Sequence, residues 1–592
     1  MRVAVLLEDR CQPKKCNDEC QSFCPPVRNG IECIVMHEGN GKPIISEPLC
    51  IGCGICINKC PFDALVITNL PSELETDMIH RYGENGFRLF RLPVPREEQV
   101  VGILGANGMG KSTAINLLSG TIRPNLGEWL SGERPWEDII ETFPRGELRD
   151  FMSTVADSGV RIAVKPQYVD KIPRAFDGKV SALLQRVDQR GVIEETAEAL
   201  AINHLFERNL PELSGGELQR VAIAATLLKD ADVYFFDEPS SYLDIYERMR
   251  MVRIIQKLSE SGKRVIVIEH DLAILDVLCD LIHVVYGERA AYGIFTPPRP
   301  ARTAINAYLD GFLEQENIRI RDKPIQFLRG RMRGEEIGEP ILEWGDLEKK
   351  LGTFQLKTDT GKVHSSEVVG VVGPNATGKT TMVKMVAGEI EMDAGWCTME
   401  AKISYKPQHV RSDFEGTVRL WLDCEIGTKW RKGEFHTTVI RPLQVDKLLE
   451  QDVRKLSGGE LQAVSIAICL GKDADLYLLD EPSAHLDANA RMEAAKAIRK
   501  TMEVNEKAAM VIDHDIYFID IVSDSLLVFD GVGGENGSAV GPLPLRKGMN
   551  RFLSQVGITF RRDHDSHRPR INKHDSRKDR EQKSRGEYFY AE

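Results

Sequence analysis

The chain contains the same set of nucleotide-binding motifs twice, and this duplication limits its fold more than any other feature. "GANGMGKST" (105–113) and "GPNATGKTT" (373–381) both fit the pattern GxxxxGK[ST]. Each follows an apolar run, "QVVGIL" or "EVVGVV", and precedes a helical pattern, which is the context of a phosphate-binding loop. An internal repeat of this kind predicts two α/β domains that each hold nucleotide phosphates.

The residue types within each loop predict separate contacts with ATP. The glycines let backbone N–H groups turn toward the phosphates, and Lys111 and Lys379 are expected to reach the β- and γ-phosphates. The hydroxyl groups of Ser112 and Thr380 are expected to ligate Mg²⁺. The loop residues that we expect to bind ATP are Gly105, Asn107, Gly108, Gly110, Lys111, Ser112, Thr113, Gly373, Asn375, Gly378, Lys379, Thr380 and Thr381.

Further motifs recur in the same order in both halves. "VYFFDEPS" and "LYLLDEPS" are predicted strands that end in acidic pairs. We expect Asp237 and Asp480 to act at Mg²⁺, and Glu238 and Glu481 to polarise the attacking water. "LSGGE" precedes each pair, at 213–217 and 456–460, and leads into a helix N-terminus that favours an anion. The other repeated positions are Ser214, Gly216, Ser457, Gly459, Gln167, Gln408, His270 and His514.

This order of motifs resembles that of tandem ATP-binding cassette (ABC) proteins, over roughly residues 75 to 550. The resemblance implies two cassettes arranged head to tail, with each ATP between the loop of one and the LSGGE of the other. It implies a first site made of Lys111, Gln167, Glu238 and His270 with Ser457 and Gly459. It implies a second site made of Lys379, Gln408, Glu481 and His514 with Ser214 and Gly216. By the same resemblance, Gln167 and Gln408 act at Mg²⁺, the two histidines are catalytic, and Asp244 and Asp487 connect the sites.

The two copies also differ. Ala376 stands where the first loop has Gly108, and LSGGE is followed by "LQA" rather than "LQR", so we expect the two sites to turn over unequally. The loop lysine and the glutamine are 56 residues apart in the first copy and 29 in the second. The extra residues are placed at 132–157, as two short amphipathic helices. This insertion is either a surface elaboration or, given Trp136, Phe143, Arg145, Arg149 and Phe151, a docking site for a large partner.

Nine of the 13 cysteines precede residue 61, which in a long chain with reduced thiols indicates metal rather than disulfides. The spacing of Cys50, Cys53, Cys56 and Cys60-Pro is that of a bacterial [4Fe–4S] site, and a looser run precedes it. Because the fourth cysteine of such a run ligates the other cluster, we predict two sets. One set is Cys11, Cys16, Cys20 and Cys60; the other is Cys24, Cys50, Cys53 and Cys56, with Cys33 left over. Zinc is the alternative metal. The clusters either transfer electrons or stabilise a domain with few large apolar residues.

Charge and hydropathy exclude some classes of protein. The net charge of −12 argues against a broad basic surface for nucleic acid. The tail 561–592 carries ten Lys and Arg against seven Asp and Glu, and is expected to be solvated and partly disordered or to contact RNA. No apolar run approaches the ~20 residues of a membrane helix, and no signal peptide is recognised. We therefore expect a cytoplasmic protein without a membrane partner.

Two cassettes, two cluster motifs and the insertion together resemble subfamily E of the ABC proteins, the ribosome-recycling ATPases also called RNase L inhibitors. The resemblance implies a monomeric ATPase that binds the small ribosomal subunit and a release-factor-like A-site protein, and splits ribosomes after termination. The competing hypothesis is an ATP-gated iron–sulfur electron-transfer enzyme. The adenine-stacking residue is left open between Tyr82 and Phe87 in the first half, with Phe354 as the candidate in the second. The expected units are a ferredoxin-like domain (1–75), a first cassette (76–295), a hinge (296–335), a second cassette (336–530), and a second hinge segment with the basic tail (531–592).

Overall fold

The computed structural model describes residues 2–589, except 9, 63, 70–76, 85, 131, 158, 290, 322–323, 326, 328–337, 399–400, 409 and 411–412. The expected domain boundary at residue 75 lies outside the described residues. So does the end of the expected hinge, from residue 328 onward.

The N-terminal segment is small and its ends are joined. It contains β1 (Arg2–Leu6), α1 (Glu19–Ser22), α2 (Pro25–Arg28), β2 (Ile34–Met36), β3 (Pro43–Ile45), α3 (Ile55–Lys59) and β4 (Leu65–Asn69). β1 pairs antiparallel with β4, and β2 with β3. Four of the ten buried residues in its apolar cluster are cysteines, so this segment has little hydrocarbon with which to hold itself together.

The next part of the chain comprises the expected first cassette and the expected hinge. Its elements are β5 (Met78–Arg81), β6 (Arg88–Phe90), β7 (Val100–Gly105), α4 (Lys111–Leu118), α5 (Trp136–Thr142), α6 (Glu147–Ala156), β8 (Ile162–Lys165), α7 (Ile172–Ala175), α8 (Val180–Val187), α9 (Ile193–Ala199), α10 (Gly215–Leu227), β9 (Val233–Asp237), α11 (Ile245–Glu260), β10 (Arg264–Ile268), α12 (Leu272–Leu278), β11 (Leu281–Glu288), β12 (Tyr292–Phe295), β13 (Arg299–Pro300), α13 (Ala301–Asp310), β14 (Phe312–Leu313) and β15 (Ile318–Arg319).

The second cassette and the C-terminal segment repeat this order. The elements are β16 (Pro340–Leu351), β17 (Phe354–Thr358), β18 (Gly361–His364), β19 (Val368–Val372), α14 (Lys379–Val386), β20 (Ala394–Cys397), β21 (Ile403–Lys406), α15 (Val418–Ile426), α16 (Gly433–Phe435), α17 (Gly458–Gly471), β22 (Leu476–Asp480), α18 (Ala488–Asn505), β23 (Ala508–Ile512), α19 (Ile516–Val522), β24 (Ser525–Asp530), β25 (Asn536–Pro544), α20 (Leu545–Val556), β26 (Phe560–Arg562), β27 (Pro569–Ile571) and α21 (Arg577–Arg585).

Each cassette is built on five parallel strands in equivalent order. The first has β11-β7-β10-β9-β8 and the second has β24-β19-β23-β22-β21. These strands are apolar along nearly their whole length, as strands covered on both faces are, and every residue of β7 is buried. Both phosphate-binding loops and both acidic pairs follow the carboxyl ends of such strands, where ligands of open parallel sheets bind.

One apolar cluster runs from the first cassette into the second and on into the C-terminal segment. It includes Leu243 and Ile245 of the first cassette, Ala488 and Ile516 of the second, and Phe560 near the C-terminus. The two cassettes are therefore packed on each other along a shared core, and this packing positions their loops.

The insertion forms the two helices α5 and α6, but its aromatic side chains point inward. Phe143 and Phe151 are buried in the cluster beneath the first cassette's sheet, and Trp136 packs against the same cluster, under the guanidinium of Arg123. Of the two alternatives given for the insertion, docking of a partner on Phe143 and Phe151 is wrong, because the cassette's own core covers these two side chains. Arg145 remains exposed.

The basic tail is folded as far as residue 589, with exposed and buried residues, so the expectation of partial disorder is wrong, and a contact with RNA stays a prediction. Arg568, directly before β27, is fully buried and donates hydrogen bonds to Asn306 of α13 (3.0 Å), Tyr517 of α19 (3.0 Å) and Asp276 of α12 (3.3 Å). Arg570 also binds Asp276. The tail thereby ties the two cassettes together.

Removing the Arg568 side chain should destabilise the protein. Arg568→Ala leaves Asp276, which is 1 % exposed, with Arg570 alone, and we expect the free energy of unfolding to fall by about 3 kcal/mol. Urea unfolding of the full chain measures this. Arg580→Ala is the control, because its side chain is 68 % exposed, and we expect a change of at most about 0.5 kcal/mol there. Equal effects of the two substitutions would contradict the structural role of Arg568.

Candidate functional site

The two phosphate-binding loops have the same backbone shape. Gly108 and Gly110 have φ of 79° and 81°, and at the equivalent positions Ala376 and Gly378 have φ of 59° and 95°. This left-handed geometry costs little for glycine, whereas Ala376 adopts it with a side chain. In both loops the lysine lies at the start of the following helix, α4 or α14, with a glycine at the N-cap.

In the first cassette four predicted residues converge. Lys111 Nζ donates to the carbonyl of Gly105 (2.8 Å) and lies 3.0 Å from His270 Nε2. Gln167 Nε2 donates to Glu238 Oε1 at 2.7 Å, and His270 Nε2 is 3.4 Å from the same oxygen. The carboxylate of Glu238 is thus held between an amide and an imidazole, beside the loop lysine.

The second cassette repeats the contacts of the glutamate but differs at the loop lysine and the loop hydroxyl. Gln408 Nε2 donates to Glu481 Oε1 at 2.7 Å, and His514 Nε2 lies 3.5 Å from it. Lys379 Nζ donates to two loop carbonyls, those of Gly373 and Pro374. Thr380 Oγ1 donates to Asp480 Oδ2 at 2.8 Å, so a hydroxyl and a carboxylate oxygen already lie together. Such oxygens are the ligands that Mg²⁺ prefers, and the residues therefore fit that ion.

Two buried lysines support the acidic pairs and were not singled out by the sequence reasoning. Lys165 Nζ donates to the carbonyls of Asp237 and Glu238, and Lys406 does the same in the second cassette. Burial lowers the pKa of each lysine to about 8. The sequence carries a signal for them, because a lysine stands two residues before the glutamine, as "KPQ", in both halves.

The four acidic residues differ in ionisation. Burial, followed by the adjacent glutamate, raises the pKa of Asp237 and of Asp480 to about 6. Burial opposes ionisation of Glu481 too, but its hydrogen bond to His514 and the charges of His514 and Lys379 bring its pKa to about 2. Burial likewise opposes ionisation of Glu238, but its hydrogen bond to His270 and the charges of His270 and Lys111 hold its pKa below the usual range. Both glutamates also have positive φ, 47° and 46°, a strained backbone often found at functional sites.

Residues of one cassette contact the loop of the other. The backbone N–H of Asn375 donates to Asp244 Oδ2 at 2.7 Å, and its side-chain amide lies 3.3 Å from Glu247 Oε2. The N–H of Asn107 lies 3.5 Å from Asp487 Oδ2. The predicted cross-contacts of Asp244 and Asp487 are therefore present, and the one at Asp244 is shorter.

The two LSGGE motifs begin helices α10 and α17 with identical caps. Ser214 and Ser457 each accept a hydrogen bond from the N–H of the motif's glutamate. Gly216 lies near the opposite loop, since a Cβ added there would be 3.7 Å from Asn375 Nδ2. Within the described part of the chain, no hydrogen bond joins either serine to the opposite loop. The serines' hydroxyls thus remain at exposed helix N-termini.

An aromatic ring flanks the last glycine of each loop. A Cβ on Gly110 would lie 2.5 Å from the ring of Phe87, and one on Gly378 would lie 3.0 Å from the ring of Phe354. Tyr82 is exposed, with its hydroxyl 3.4 Å from Thr113 Oγ1. The equivalent placement of Phe87 and Phe354 favours these two as the rings that stack on adenine.

The cysteines of the N-terminal segment line two clefts. One cleft is lined by Cys11, Cys16, Cys20 and Cys60. The other is lined by Cys24, Cys33, Cys50, Cys53 and Cys56. Apart from Cys33, these are the two sets expected from the spacing. In the described residues, no three Cys, His, Asp or Glu side chains come together closely enough for a single metal ion.

The clefts fit iron–sulfur clusters in their chemistry. The N–H of Ala4 donates to Cys50 Sγ, and the N–H of Ala64 donates to Cys60 Sγ, each at 3.4 Å. Such hydrogen bonds suit the negatively charged sulfur of a cluster ligand. Burial raises the pKa of Cys20 to about 12 and those of Cys11 and Cys56 to about 11. Cationic iron would offset this cost of forming thiolates.

The N-terminal segment contacts both cassettes. Val3 and Val5 of β1 pack on Ala291 of the first cassette. Glu47 accepts hydrogen bonds from Arg81 (2.8 Å) and from Arg88, both nearly buried. Gln12 Nε2 lies 3.3 Å from the carbonyl of Glu450 in the second cassette. A movement of one cassette relative to the other would therefore change the contacts that hold the cysteine-rich segment.

Comparison with known proteins agrees with this architecture. The family model described as "ABC transporter" matches residues 94–241 and 356–484. "Possible Fer4-like domain in RNase L inhibitor, RLI" matches 1–32, and "4Fe-4S binding domain" matches 43–66. An uncharacterized ABC transporter ATP-binding protein of Methanocaldococcus jannaschii is 47% identical, over 100% of this chain and 98% of its own. ABC transporter E family member 1 of Arabidopsis thaliana is 44% identical, over 100% and 99%.

The chain belongs to subfamily E of the ABC proteins. Among solved structures of this subfamily, a model of ribosome-bound archaeal Pelota and ABCE1 is 49% identical, with a TM-score of 0.95 over 100% of this chain and 99% of that one. A crystal structure of archaeal ribosomal stalk protein aP1 with archaeal ribosome recycling factor aABCE1 is 49% identical, with a TM-score of 0.83 over 88% and 100%.

These matches confirm the predicted fold class and family. A subfamily E protein with two ABC domains is an ATPase, and its N-terminal segment is an iron–sulfur domain. In the part of the chain that the structure describes, no helix has the length and apolar character needed to cross a membrane.

Proposed function

We propose that this subfamily E protein recycles ribosomes, using ATP at two composite sites to separate the ribosomal subunits after termination. The proposal is carried by its likeness, over the whole chain, to the ABCE1 of a ribosome-bound complex with Pelota. Its partners are then the small ribosomal subunit and a release-factor-like protein in the A site. It acts as a cytoplasmic monomer whose two cassettes pair within one chain.

In each composite site, the loop of one cassette and the LSGGE of the other bind one ATP. The contacts of Asn375 with Asp244, and of Asn107 with Asp487, support this pairing because they join loop to opposite cassette. Gly216 near Asn375 supports it at the second site. With ATP bound, both cassettes contact one γ-phosphate, and hydrolysis removes that contact so that the cassettes separate.

Glu238 and Glu481 act as general bases on the attacking water. Gln167 and His270 hold the carboxylate of Glu238, and Gln408 and His514 hold that of Glu481. Lys111 and Lys379 bind the phosphates. Mg²⁺ would be held by Ser112, Gln167 and Asp237 in the first site and by Thr380, Gln408 and Asp480 in the second, where it neutralises phosphate charge.

Two [4Fe–4S] clusters make the N-terminal domain a rigid arm. The cysteines supply the ligands in the two sets that line the clefts, and the contacts of Glu47 and Gln12 link the domain to both cassettes. Closure of the cassettes then moves the arm against the ribosome. The exposed Arg145 of the insertion is available to a phosphate of rRNA. Arg302 of α13 is not equally available, because it binds Asp563 and Asp565.

Sedimentation with purified small ribosomal subunits tests the proposal. We expect at least about fivefold more protein to pellet with a non-hydrolysable ATP analogue than with ADP, as a ligand-coupled conformational change predicts. The double variant Lys111→Ala/Lys379→Ala is the matched control and should lose the difference. Equal pelleting with the analogue, with ADP and without nucleotide would overturn the proposal.

A further inference from the structure

The last residues of the two LSGGE motifs, Glu217 and Glu460, have the same local geometry. Glu217 Oε2 accepts from the N–H of Ser214 at 2.8 Å, and Glu460 Oε2 accepts from the N–H of Ser457 at 3.0 Å. Both side chains are largely buried, at 18 % and 15 % exposed. In a composite site, each carboxylate lies at the helix end that faces ATP. A negative charge there repels the triphosphate unless a cation neutralises it.

Glu217 is neutralised from within its own cassette. Arg208 Nη1 lies 2.8 Å from Glu217 Oε1. Arg220, three residues further along α10, adds a second positive charge near it. Arg220 also lies 3.1 Å from Glu247, the residue that Asn375 of the opposite loop contacts. The cationic environment of Glu217 therefore exists whatever the position of the second cassette.

The second cassette lacks both of these arginines. Gln451 stands nine residues before Glu460, where Arg208 stands before Glu217, and Ala463 stands where the first cassette has Arg220. The backbones are equivalent at the first of these positions. The carbonyl of Arg208 accepts from the N–H that starts α8, and the carbonyl of Gln451 accepts from the N–H that starts α15. The change of "LQR" to "LQA" is thus one of two matched losses of positive charge.

Glu460 takes its cation from the opposite cassette instead. Arg289, directly after β11, places Nη2 at 3.0 Å from Glu460 Oε1. Burial opposes ionisation of Glu460, but the charges of Arg289 and of Arg10 in the N-terminal domain help to hold its pKa below the usual range. The second LSGGE is therefore neutralised by groups that do not belong to its own cassette.

Arg289 has no counterpart at the second site. Gly287, next to the last residue of β11, and Gly531, directly after β24, are equivalent and both have positive φ, so Gly533 occupies the position of Arg289. Arg289 lies against the first loop, since a Cβ on Gly108 would be 2.8 Å from its Cγ, whereas a Cβ on Gly533 would be 3.6 Å from that of Ala376. Gly108 of the first loop therefore faces Arg289, and Ala376 of the second loop faces Gly533. The Gly108 and Ala376 difference is explained by this exchange.

We propose that Arg289 is a positioning residue of the first nucleotide site, which neutralises Glu460 only while the two cassettes are in contact. Binding of ATP at the first site then depends on that contact, whereas the second site carries its own neutralising arginines. This inference rests on the proposed composite sites. The two sites then behave unequally, because the arginine that neutralises the LSGGE glutamate comes from the same cassette in one site and from the opposite cassette in the other. Both sites nevertheless have a complete set of lysine, glutamate and histidine.

Variants that trap ATP at one site test the proposal. In Glu238→Gln, which retains ATP at the first site, adding Arg289→Ala should lower the amount of radiolabelled ATP retained by about two- to fivefold. In Glu481→Gln, which retains ATP at the second site, Arg289→Ala should have no effect. Adding Gln451→Arg to Glu238→Gln/Arg289→Ala should restore ATP retention, because it gives Glu460 an arginine at the position that Arg208 has relative to Glu217. Arg161→Ala, an exposed arginine paired with Asp230 and Asp232, is the control.

Unchanged retention in Glu238→Gln/Arg289→Ala would overturn the proposal. So would a failure of Gln451→Arg to restore retention in a protein whose unfolding midpoint is unchanged. Ser457→Arg in the Glu238→Gln background separates this inference from the composite site on which it rests. If Ser457→Arg abolishes retention while Arg289→Ala does not, only the role of Arg289 fails. If Ser457→Arg also has no effect, the composite site fails.

Discussion

Replacing Glu481 by glutamine is expected to slow ATP hydrolysis at the second site by about 10²–10⁴-fold, and Glu238→Gln is expected to do the same at the first. Glutamine keeps the size of the side chain and one carbonyl oxygen, so Gln408 can still donate to it. It cannot take a proton from water at neutral pH. Single-turnover release of phosphate from pre-bound ATP measures the effect at each site.

Glu503→Gln serves as the matched control, because Glu503 is 47 % exposed and pairs with Arg499, one turn earlier in α18. We expect it to leave turnover unchanged. We expect the two single active-site variants to differ from each other, since the contacts across the two sites differ. Identical rates in Glu238→Gln and Glu481→Gln would contradict unequal turnover. Full activity of the double variant would contradict the role of both glutamates.

Loss of one cluster ligand is expected to abolish subunit separation while ATP hydrolysis by the cassettes continues. In Cys56→Ala we expect the iron content to fall by about four atoms per chain. We also expect the N-terminal domain to become sensitive to protease. The physical reason is the small apolar cluster of this domain, in which cysteines replace much of the hydrocarbon. The four large apolar clusters of the cassettes include no residue of this segment.

Cys424→Ala is the control, because this cysteine is exposed in the second cassette. Iron content, proteolysis, ATP turnover and subunit separation are measured on the same preparations. Normal subunit separation by a Cys56→Ala protein that has lost its iron would contradict the mechanical role of the cluster domain.

The same preparations decide between a mechanical and a redox role. With clusters intact, we expect chemical oxidation and reduction to leave subunit separation unchanged, because the proposed arm needs stiffness and no electron. A change in activity that follows the redox state while the iron content stays constant would favour the electron-transfer hypothesis.

The nucleotide and cluster motifs were recognisable from the sequence because their chemistry is local. A phosphate loop, its lysine and its helix start lie within nine residues, 105–113, and three thiols of each cluster run lie within one short loop. Repetition of the motifs in both halves then predicted two similar domains. The aromatic residues of the insertion misled the prediction, since composition does not show that Phe143 and Phe151 face the cassette's own core.

From the sequence alone, the family, the two ATP-binding domains and the eight candidate cluster ligands followed, because short spacings determine which groups can reach one phosphate or one cluster. Only the tertiary structure showed which residues, far apart in the sequence, contact each other. It showed Arg289 beside Glu460 and Arg568 between Asp276 and Tyr517. Such pairs depend on how two whole sheets pack, and that packing is set by a core spread over both cassettes, which no local pattern encodes.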